Sequence, residues 1–151
     1  MSSEDVNIVR EAFKAGINLD PRLDSTWRSA SEWLLPDFEY REDPAWPGAG
    51  TYKGLAAFRE VAIAYREALN EMHFEAEEFI DAGDQVLVLI HWWARGKSGL
   101  EAEMEQAGIF TVRAGKIASW QVIFDFEEAF RAVGLRDSIS RAISRGGRDH
   151  A

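Results

Sequence analysis

Asp43 is the residue of this chain whose surroundings best suit proton transfer. It follows Glu42, precedes Pro44, and opens the segment 43–50, where two prolines and two glycines exclude regular structure. A carboxylate close to Trp46 and phenylalanine rings would have a raised pKa and could act as a general base. The alternative is an Asx turn before Pro44, a structural role that aspartate often has.

Two further polar side chains, His91 and Gln106, lie in segments that otherwise favour strands. His91 titrates near neutral pH and could act as an acid or a base. If Gln106 points inward, to the same face of the strand as Met104 and Phe110, its amide could orient a carbonyl or hydroxyl group of a ligand. The register of the 95–99 turn decides which face each residue occupies. The alternatives are a core or interface role for His91 and a dimer-face position for Gln106.

Asp125 is a weaker candidate for an acidic group at the rim of a pocket. Glu128 follows it by three residues, the spacing of a capping box. We therefore expect Asp125 to begin a helix.

Aromatic side chains are abundant, with six Trp and nine Phe. Indole and phenyl rings on a sheet can form either a core or the wall of a pocket for flat, apolar ligands. Alternation places Trp120, Val122 and Phe124 on one face. The residues predicted to line a ligand pocket are Tyr40, Trp46, Trp93, Gln106, Phe110, Trp120 and Phe124.

The order of elements predicts an α+β fold. Four long strands joined by tight turns would form an antiparallel sheet, which twists and curls. The N-terminal helices would then pack into its concave face and leave a cone with one open end. The predicted helices are 4–19, 25–34, 54–69 and 125–133, and the predicted strands are 38–42, 73–80, 84–95, 103–113 and 116–124.

Composition excludes several classes of function. The chain has 151 residues, 46% of them hydrophobic, a net charge of −9, no cysteine and three histidines far apart. Nucleic acid or an anionic membrane would require a basic surface, and zinc would require clustered ligands. Neither a dinucleotide fingerprint nor a bilayer-spanning stretch is present, so we expect a cytoplasmic protein without cofactor, metal, nucleic acid or membrane partner.

Four stretches of the chain resemble the nuclear transport factor 2-like superfamily, and most closely its polyketide-cyclase (SnoaL-like) branch. The resemblance implies one cone domain over 1–135, a pocket for a small apolar or aromatic ligand, and a homodimer through the outer sheet face. The strand 86–93 is apolar on both faces, which independently supports such a dimer. Residues 136–151 would be a partly disordered extension. The stretches are 37–44, 50–59, 78–84 and 115–135.

The segment Glu42-Asp43-Pro44 is also similar to the part of ketosteroid isomerase that carries its general base, which implies that Asp43 shuttles a proton. The two oxyanion donors of that enzyme fall here on Phe13 and Gly108, whose side chains cannot donate. Isomerisation by that scheme is therefore not expected. Two functions stay open: acid/base catalysis of the isomerase, cyclase, dehydratase or hydrolase kind, and a non-catalytic binding or dimerisation module.

Overall fold

The computed structural model describes residues 2–16 and 19–135, and the predicted extension lies outside these ranges. Helices and strands follow the predicted order, with one added strand of three residues. Within the described ranges, no helix is long and apolar enough to cross a bilayer. The elements are α1 (Ser2–Gly16), α2 (Asp24–Ala30), β1 (Leu34–Arg41), β2 (Thr51–Lys53), α3 (Leu55–Ala68), β3 (Leu69–Asp81), β4 (Gln85–Gly96), β5 (Glu101–Arg113), β6 (Lys116–Ile123) and α4 (Phe126–Ala132).

The strands form one sheet in the order β2-β1-β6-β5-β4-β3, which confirms the predicted α+β fold. Strands β3 to β6 are an antiparallel meander, as expected. The pairing of β1 with β6 is parallel, which the sequence analysis did not anticipate. In this register Tyr40 lies between Trp120 on β6 and Tyr52 on β2.

The prediction for α2 was wrong at both ends. Leu23 occupies the N-cap position without a side-chain hydrogen bond, and the helix ends at Ala30 instead of Leu34. Leu34 instead pairs with Ile117, and the Ile117 N–H donates to the Trp33 carbonyl at 2.8 Å. These sheet contacts outweigh the helical pattern of the local sequence, because tertiary packing overrides propensity.

The inner face of the sheet carries the main core. Val86, Val88 and Ile90 of β4 point to this face, where they join Phe38 of β1 and Val9 of α1. Helices α1 and α3 pack against it, and each contacts several strands. The alternation that was read from the sequence of β4 is therefore confirmed.

The outer face is covered in part by α4. Asp125 caps this helix by accepting a hydrogen bond from the Glu128 N–H at 3.1 Å, as predicted. Ala129 and Phe130 then pack on a second cluster that includes Leu87 and Ile109 of the outer face. Some of the apolar outer positions of β4 and β5 are thus buried within the same chain, which removes part of the sequence argument for a dimer.

Gly108 allows a close contact on the inner face. A Cβ atom at this position would lie 2.7 Å from Phe110 Cε1, 2.8 Å from Trp120 Nε1 and 3.2 Å from Ile90 Cδ1. Real Cβ atoms essentially never approach neighbours below 3.0 Å. The missing side chain lets the Phe110 and Trp120 rings lie almost parallel, with centroids 5.3 Å apart and planes at 21°.

We expect Gly108→Ala to destabilise the protein by about 1–3 kcal/mol, because two aromatic rings would have to move in a packed core. Chemical denaturation measures this change. Gly96→Ala is the matched control in a neighbouring strand, since its Cβ would meet nothing closer than 3.8 Å. Equal losses in the two variants would contradict the proposed role of Gly108.

Candidate functional site

A cavity of about 150 Å³ lies between the helices and the inner face of the sheet. Phe58, Val61 and Ala62 of α3 form one wall, and Phe110 and Trp120 of the sheet form the opposite wall. Because almost all of this lining is apolar, the cavity suits an apolar ligand. The other lining residues are Ala12, Phe13, Gly16, Leu19, Pro21, Thr26, Trp27, Ser29, Ala30, Trp33, Leu34, Phe38, Tyr40, Tyr65, Arg66, Met72, Phe74 and Ile117.

A smaller cavity of about 40 Å³ adjoins the first. The two share four wall residues, Tyr40, Tyr65, Met72 and Phe74. The smaller one is more polar, because its lining also includes two adjacent carboxylates and one amide. The remaining lining residues are Glu42, Asp43, Trp46, Trp92, Met104, Gln106, Val122 and Phe124.

Glu42 is held by groups from two other segments. Its Oε1 atom accepts a hydrogen bond from the Gly50 N–H at 3.1 Å, across the 43–50 loop. Its Oε2 atom accepts a hydrogen bond from the Tyr65 hydroxyl of α3. The carboxylate therefore joins the end of β1, the loop and α3 at the wall of the smaller cavity.

All three tyrosines of the chain surround Glu42. Burial raises the pKa of each hydroxyl, and Glu42 raises it further. The negative charge of Glu42 acts on Tyr40 and Tyr52, and its hydrogen bond with the Tyr65 hydroxyl acts on Tyr65. The Tyr40 and Tyr52 rings stack, with centroids 6.2 Å apart. The three hydroxyls therefore stay protonated to a higher pH than an ordinary tyrosine hydroxyl. We call this group the Glu42–tyrosine cluster.

Asp43 has backbone partners for both of its carboxylate oxygens. Oδ1 accepts from the Ala45 N–H at 2.9 Å, which forms the predicted Asx turn. Oδ2 accepts from the Phe124 N–H at 2.8 Å and ties the loop to the end of β6. The side chain lines the smaller cavity, but these bonds give it a structural role.

Gln106 points inward, to the same face as Met104 and Phe110, which is one of the two positions that the sequence left open. It is buried, with 6% of its surface exposed, and lines the smaller cavity with Met104. Its amide is therefore available near Glu42 and Asp43, whereas the alternative position on the outer face is excluded.

His91 and Trp93 do not join the candidate site, in contrast to the prediction. Both point to the outer face, because the inner residues of β4 are the even-numbered ones from Val86 to Ala94. The Trp93 ring stacks on His73, with centroids 5.5 Å apart. Trp92 takes the place in the cavity wall that was predicted for Trp93.

The other five aromatic residues predicted for the wall do line a cavity. Tyr40, Phe110 and Trp120 line the larger one. Trp46 and Phe124 line the smaller one, and their rings pack with centroids 5.9 Å apart. The four positions other than Trp46 follow the alternation of β1, β5 and β6, whereas Trp46 lies in the 43–50 loop.

Sequence reasoning missed Glu42, Tyr52, Tyr65 and Trp92 as site residues. Glu42 continues the inward parity of Phe38 and Tyr40, so the alternation of β1 could have indicated it. Tyr65 lies on α3, 23 residues from Glu42, so no local pattern links the two side chains. No group of three or more His, Asp or Glu residues in the described ranges could hold a metal ion.

His91 belongs to an acidic cluster on the outer face. Its ring nitrogens lie 3.1 Å from Glu103 Oε1 and 3.1 Å from Glu105 Oε1, and hydrogen bonds to these carboxylates raise its pKa. A hydrogen bond with Glu105 raises the pKa of Glu77 to about 7. These groups are largely exposed and lie on the face opposite both cavities.

A family model of the SnoaL-like domain matches residues 23–120 of this chain. A comparison with curated proteins gave no significant match. Several solved structures have the same fold, and at their level of sequence identity the similarity concerns the fold.

One similar structure is that of TerC, co-crystallised with polyporic acid: it is 22% identical, the match covers 86% of this chain and 98% of TerC, and the TM-score is 0.68. A nuclear transport factor 2-like protein from Burkholderia thailandensis is 25% identical, over 80% of this chain and 89% of that one, with a TM-score of 0.66. A protein from Catenulispora acidiphila with a ketosteroid isomerase-like fold, in complex with trimethylamine, is 17% identical over 85% and 92% of the two chains, with a TM-score of 0.60.

We expect the acidic cluster to make the protein less stable as the pH rises from about 5 to 8. Glu77 and His91 have raised pKa values in the folded state, so the folded chain binds more protons than the unfolded chain in this range. The unfolding free energy then falls with pH. Denaturation at the two pH values measures this, and Glu105→Gln should weaken the dependence. A pH dependence unchanged in that variant would contradict the assignment.

We expect the tyrosines to ionise well above the ordinary pKa of 10.0. Above pH 10 an unfolded chain loses these protons while the folded chain keeps them, so stability should fall as the pH rises further. Because the cluster contains every tyrosine of the chain, near-ultraviolet absorbance during an alkaline titration reports on it alone.

Glu42→Gln should move this ionisation to lower pH, since it removes the negative charge beside the hydroxyls. Glu39→Gln is the matched control, because Glu39 lies on β1 three residues before Glu42 but pairs with Arg41 at 3.0 Å. Identical titrations of the two variants would show that Glu42 does not act on the tyrosines.

Proposed function

The chain belongs to the SnoaL-like domain family, and from that membership we propose that it binds a small, largely apolar molecule and transfers a proton on it. The observation that carries this proposal is the larger cavity, which is enclosed by aromatic rings and adjoins a second cavity with carboxylates in its wall. An apolar chamber beside a few placed polar groups is the usual form of a small-molecule site.

The size of the larger cavity limits the ligand. A core cavity of about 150 Å³ lined by apolar side chains can hold one benzene ring. The larger cavity has this volume. A single ring therefore fits between α3 and the sheet, and a polar substituent could extend past Tyr40 and Tyr65 into the smaller cavity. This favours compact aromatic molecules that carry oxygen.

Acid/base catalysis is supported by the groups around the smaller cavity. Glu42 and Asp43 can accept protons, and Gln106 can donate a hydrogen bond. The sequence favoured Asp43 as the proton acceptor, and that role remains a proposal. His91 has no part in it, since it lies on the outer face. The reaction would be of the isomerase, cyclase, dehydratase or hydrolase kind.

A structural relative supports the choice of ligand class. TerC was co-crystallised with polyporic acid, so the fold can accept a small molecule. Polyporic acid itself has three rings, so molecules with a single aromatic ring are the first probes for this chain.

Non-catalytic binding is the second candidate function, and one observation favours it. Both oxygens of Asp43 already accept hydrogen bonds from backbone N–H groups. A chain that only binds a ligand needs no proton acceptor, so this structural use of Asp43 would then be its whole role. A homodimer through the uncovered part of the outer face also remains a proposal.

We expect indane or its ketone 2-indanone to bind the wild-type protein and Ala62→Phe to weaken binding about tenfold or more, which corresponds to about 1.4 kcal/mol. The added ring would occupy the larger cavity, whose wall includes Ala62. Titration calorimetry measures the affinity. A thermal shift checks it, because a bound ligand stabilises the folded state.

Ala64→Phe is the matched control, because Ala64 lies on the same helix but is exposed. Its affinity should equal that of the wild type. If neither probe binds, or if Ala62→Phe binds as tightly as Ala64→Phe, the larger cavity is not the ligand site.

A further inference from the structure

Arg66 is the only charged residue among the described residues that line the larger cavity. Every other residue in the described part of this wall is apolar, aromatic or carries a hydroxyl group. The carboxylates of Glu42 and Asp43 line only the smaller cavity. A ligand in the larger cavity would therefore meet a positive charge in the wall and no negative one.

The Arg66 guanidinium is partly removed from water. Its side chain is half-buried on α3, where the charges of Asp20 and Arg22 act on it. Burial lowers the pKa of Arg66, Asp20 raises it, and Arg22 lowers it. A charge that has lost part of its hydration interacts more strongly with an opposite charge than it would in water. An anionic group on the ligand would therefore be attracted to Arg66.

Asp20 is bound mainly to Arg22. Its Oδ1 atom accepts hydrogen bonds from Arg22 Nε at 3.0 Å and from the Arg22 backbone N–H at 2.9 Å, and its Oδ2 atom accepts one from Nη2 at 2.9 Å. The pKa of Asp20 is lowered to about 2, first by the hydrogen bonds with Arg22 and least by the charge of Arg66. Neither Asp20 nor Arg22 lines the larger cavity.

Arg59 shows the structural use of an arginine on the same helix. It lies about two helical turns before Arg66, so both point to a similar side of α3. Its Nε donates to the Pro21 carbonyl at 3.0 Å, and its Nη2 donates to Asp24 Oδ1 at 2.9 Å. Arg59 thus fastens the segment before α2 to α3, and it does not line the larger cavity. Arg66 differs from it by facing the space that a ligand would fill.

We propose that the larger cavity takes aromatic monocarboxylates, with the ring between α3 and the sheet and the carboxylate bound by Arg66. This inference rests on the proposed function and names the chemical class of its ligand. A guanidinium has five N–H donors in a fixed fork, so two of them can bind a carboxylate while the others keep their contacts. The reverse orientation is disfavoured, because it would bring the carboxylate towards Glu42 and Asp43.

Three ligands that share one benzene ring but differ in charge test this inference. They are phenylacetate, phenylacetamide, which has nearly the same shape without the charge, and 2-phenylethylamine, which is a cation at neutral pH. The wild-type protein should bind phenylacetate about tenfold more tightly than phenylacetamide, because hydrogen bonds to charged groups are the stronger ones. The amine should bind most weakly. Titration calorimetry measures the three dissociation constants.

Arg66→Met separates the charge of Arg66 from its packing, since methionine keeps an unbranched apolar stem. This variant should bind phenylacetate about tenfold more weakly than the wild type, because it lacks the charge-assisted pair. It should bind indane, which has no charge, as tightly as the wild type. Arg66→Lys should recover part of the phenylacetate affinity, because the charge is kept and the fork is lost.

Arg28→Met is the matched control. It removes one positive charge from an exposed position of α2 that is outside the wall of the larger cavity. Its affinity for phenylacetate should equal that of the wild type. An equal loss in Arg28→Met and Arg66→Met would show attraction by the overall charge of this region and would overturn the inference.

The remaining outcomes distinguish this inference from the proposed function. If neither indane nor phenylacetate binds the wild-type protein, the proposed function fails. If indane binds but phenylacetate binds no more tightly than phenylacetamide, or Arg66→Met binds phenylacetate as tightly as the wild type, only the assignment of Arg66 fails. A loss of both indane and phenylacetate binding in Arg66→Met would show that Arg66 shapes the wall, and it would also overturn the assignment.

Discussion

Aromatic rings that meet edge to face leave the interior of this protein partly open. The Trp120 ring lies 5.1 Å from Tyr40 and 6.0 Å from Phe74, with planes at 63° and 75°. Aromatic pairs prefer such edge-to-face contacts, and rings held at these angles leave space between them. The sheet holds these rings from one side and α1 and α3 hold them from the other. The larger cavity is therefore a product of ring shape and sheet curvature together.

The two adjacent carboxylates show how one step along the chain changes a side chain's chemistry. Glu42 continues the inward alternation of β1 and meets the hydroxyl of Tyr65. Asp43 starts the loop and meets only backbone N–H groups among its hydrogen-bond partners in the described ranges. The fixed position of Asp43 holds the loop on β6 and so also fixes the backbone of Glu42. Glu42 also accepts a backbone hydrogen bond, from the Gly50 N–H, so both carboxylates hold the 43–50 loop in place.

Local patterns predicted the sheet and the parity of its inner residues. Trp120 and Phe124 lie where alternation placed them, since side chains of a strand point to opposite faces in turn, whereas the face of Gln106 was left open. Alternation in β4 already places Trp92 and Trp93 on opposite faces of the sheet. The prediction that Trp93 lines the cavity wall chose the wrong one of these two residues. The end of α2 was mispredicted because Leu34 pairs with Ile117, which is distant in sequence.

The Glu42–tyrosine cluster could not be predicted for the same reason as the end of α2. Tyr65 is 23 residues from Glu42, and only the docking of α3 on the sheet brings the two together. The turn chemistry of Asp43 and the helix cap at Asp125 were readable, because both depend on partners two or three residues away. Contacts between distant segments depend on packing that no local pattern records.

The parallel pairing of β1 with β6 has a consequence for the order in which the protein assembles. Strands β3 to β6 join neighbours in the chain and can pair early, whereas β1 must wait for a strand about 80 residues further along, and such long loops close slowly. On a ribosome, the segment that carries Glu42 emerges first yet finds its place after β6 has been made. The wall of the larger cavity, to which Tyr40 and Trp120 both belong, is therefore completed in the final stage of folding, when the two ends of the domain meet.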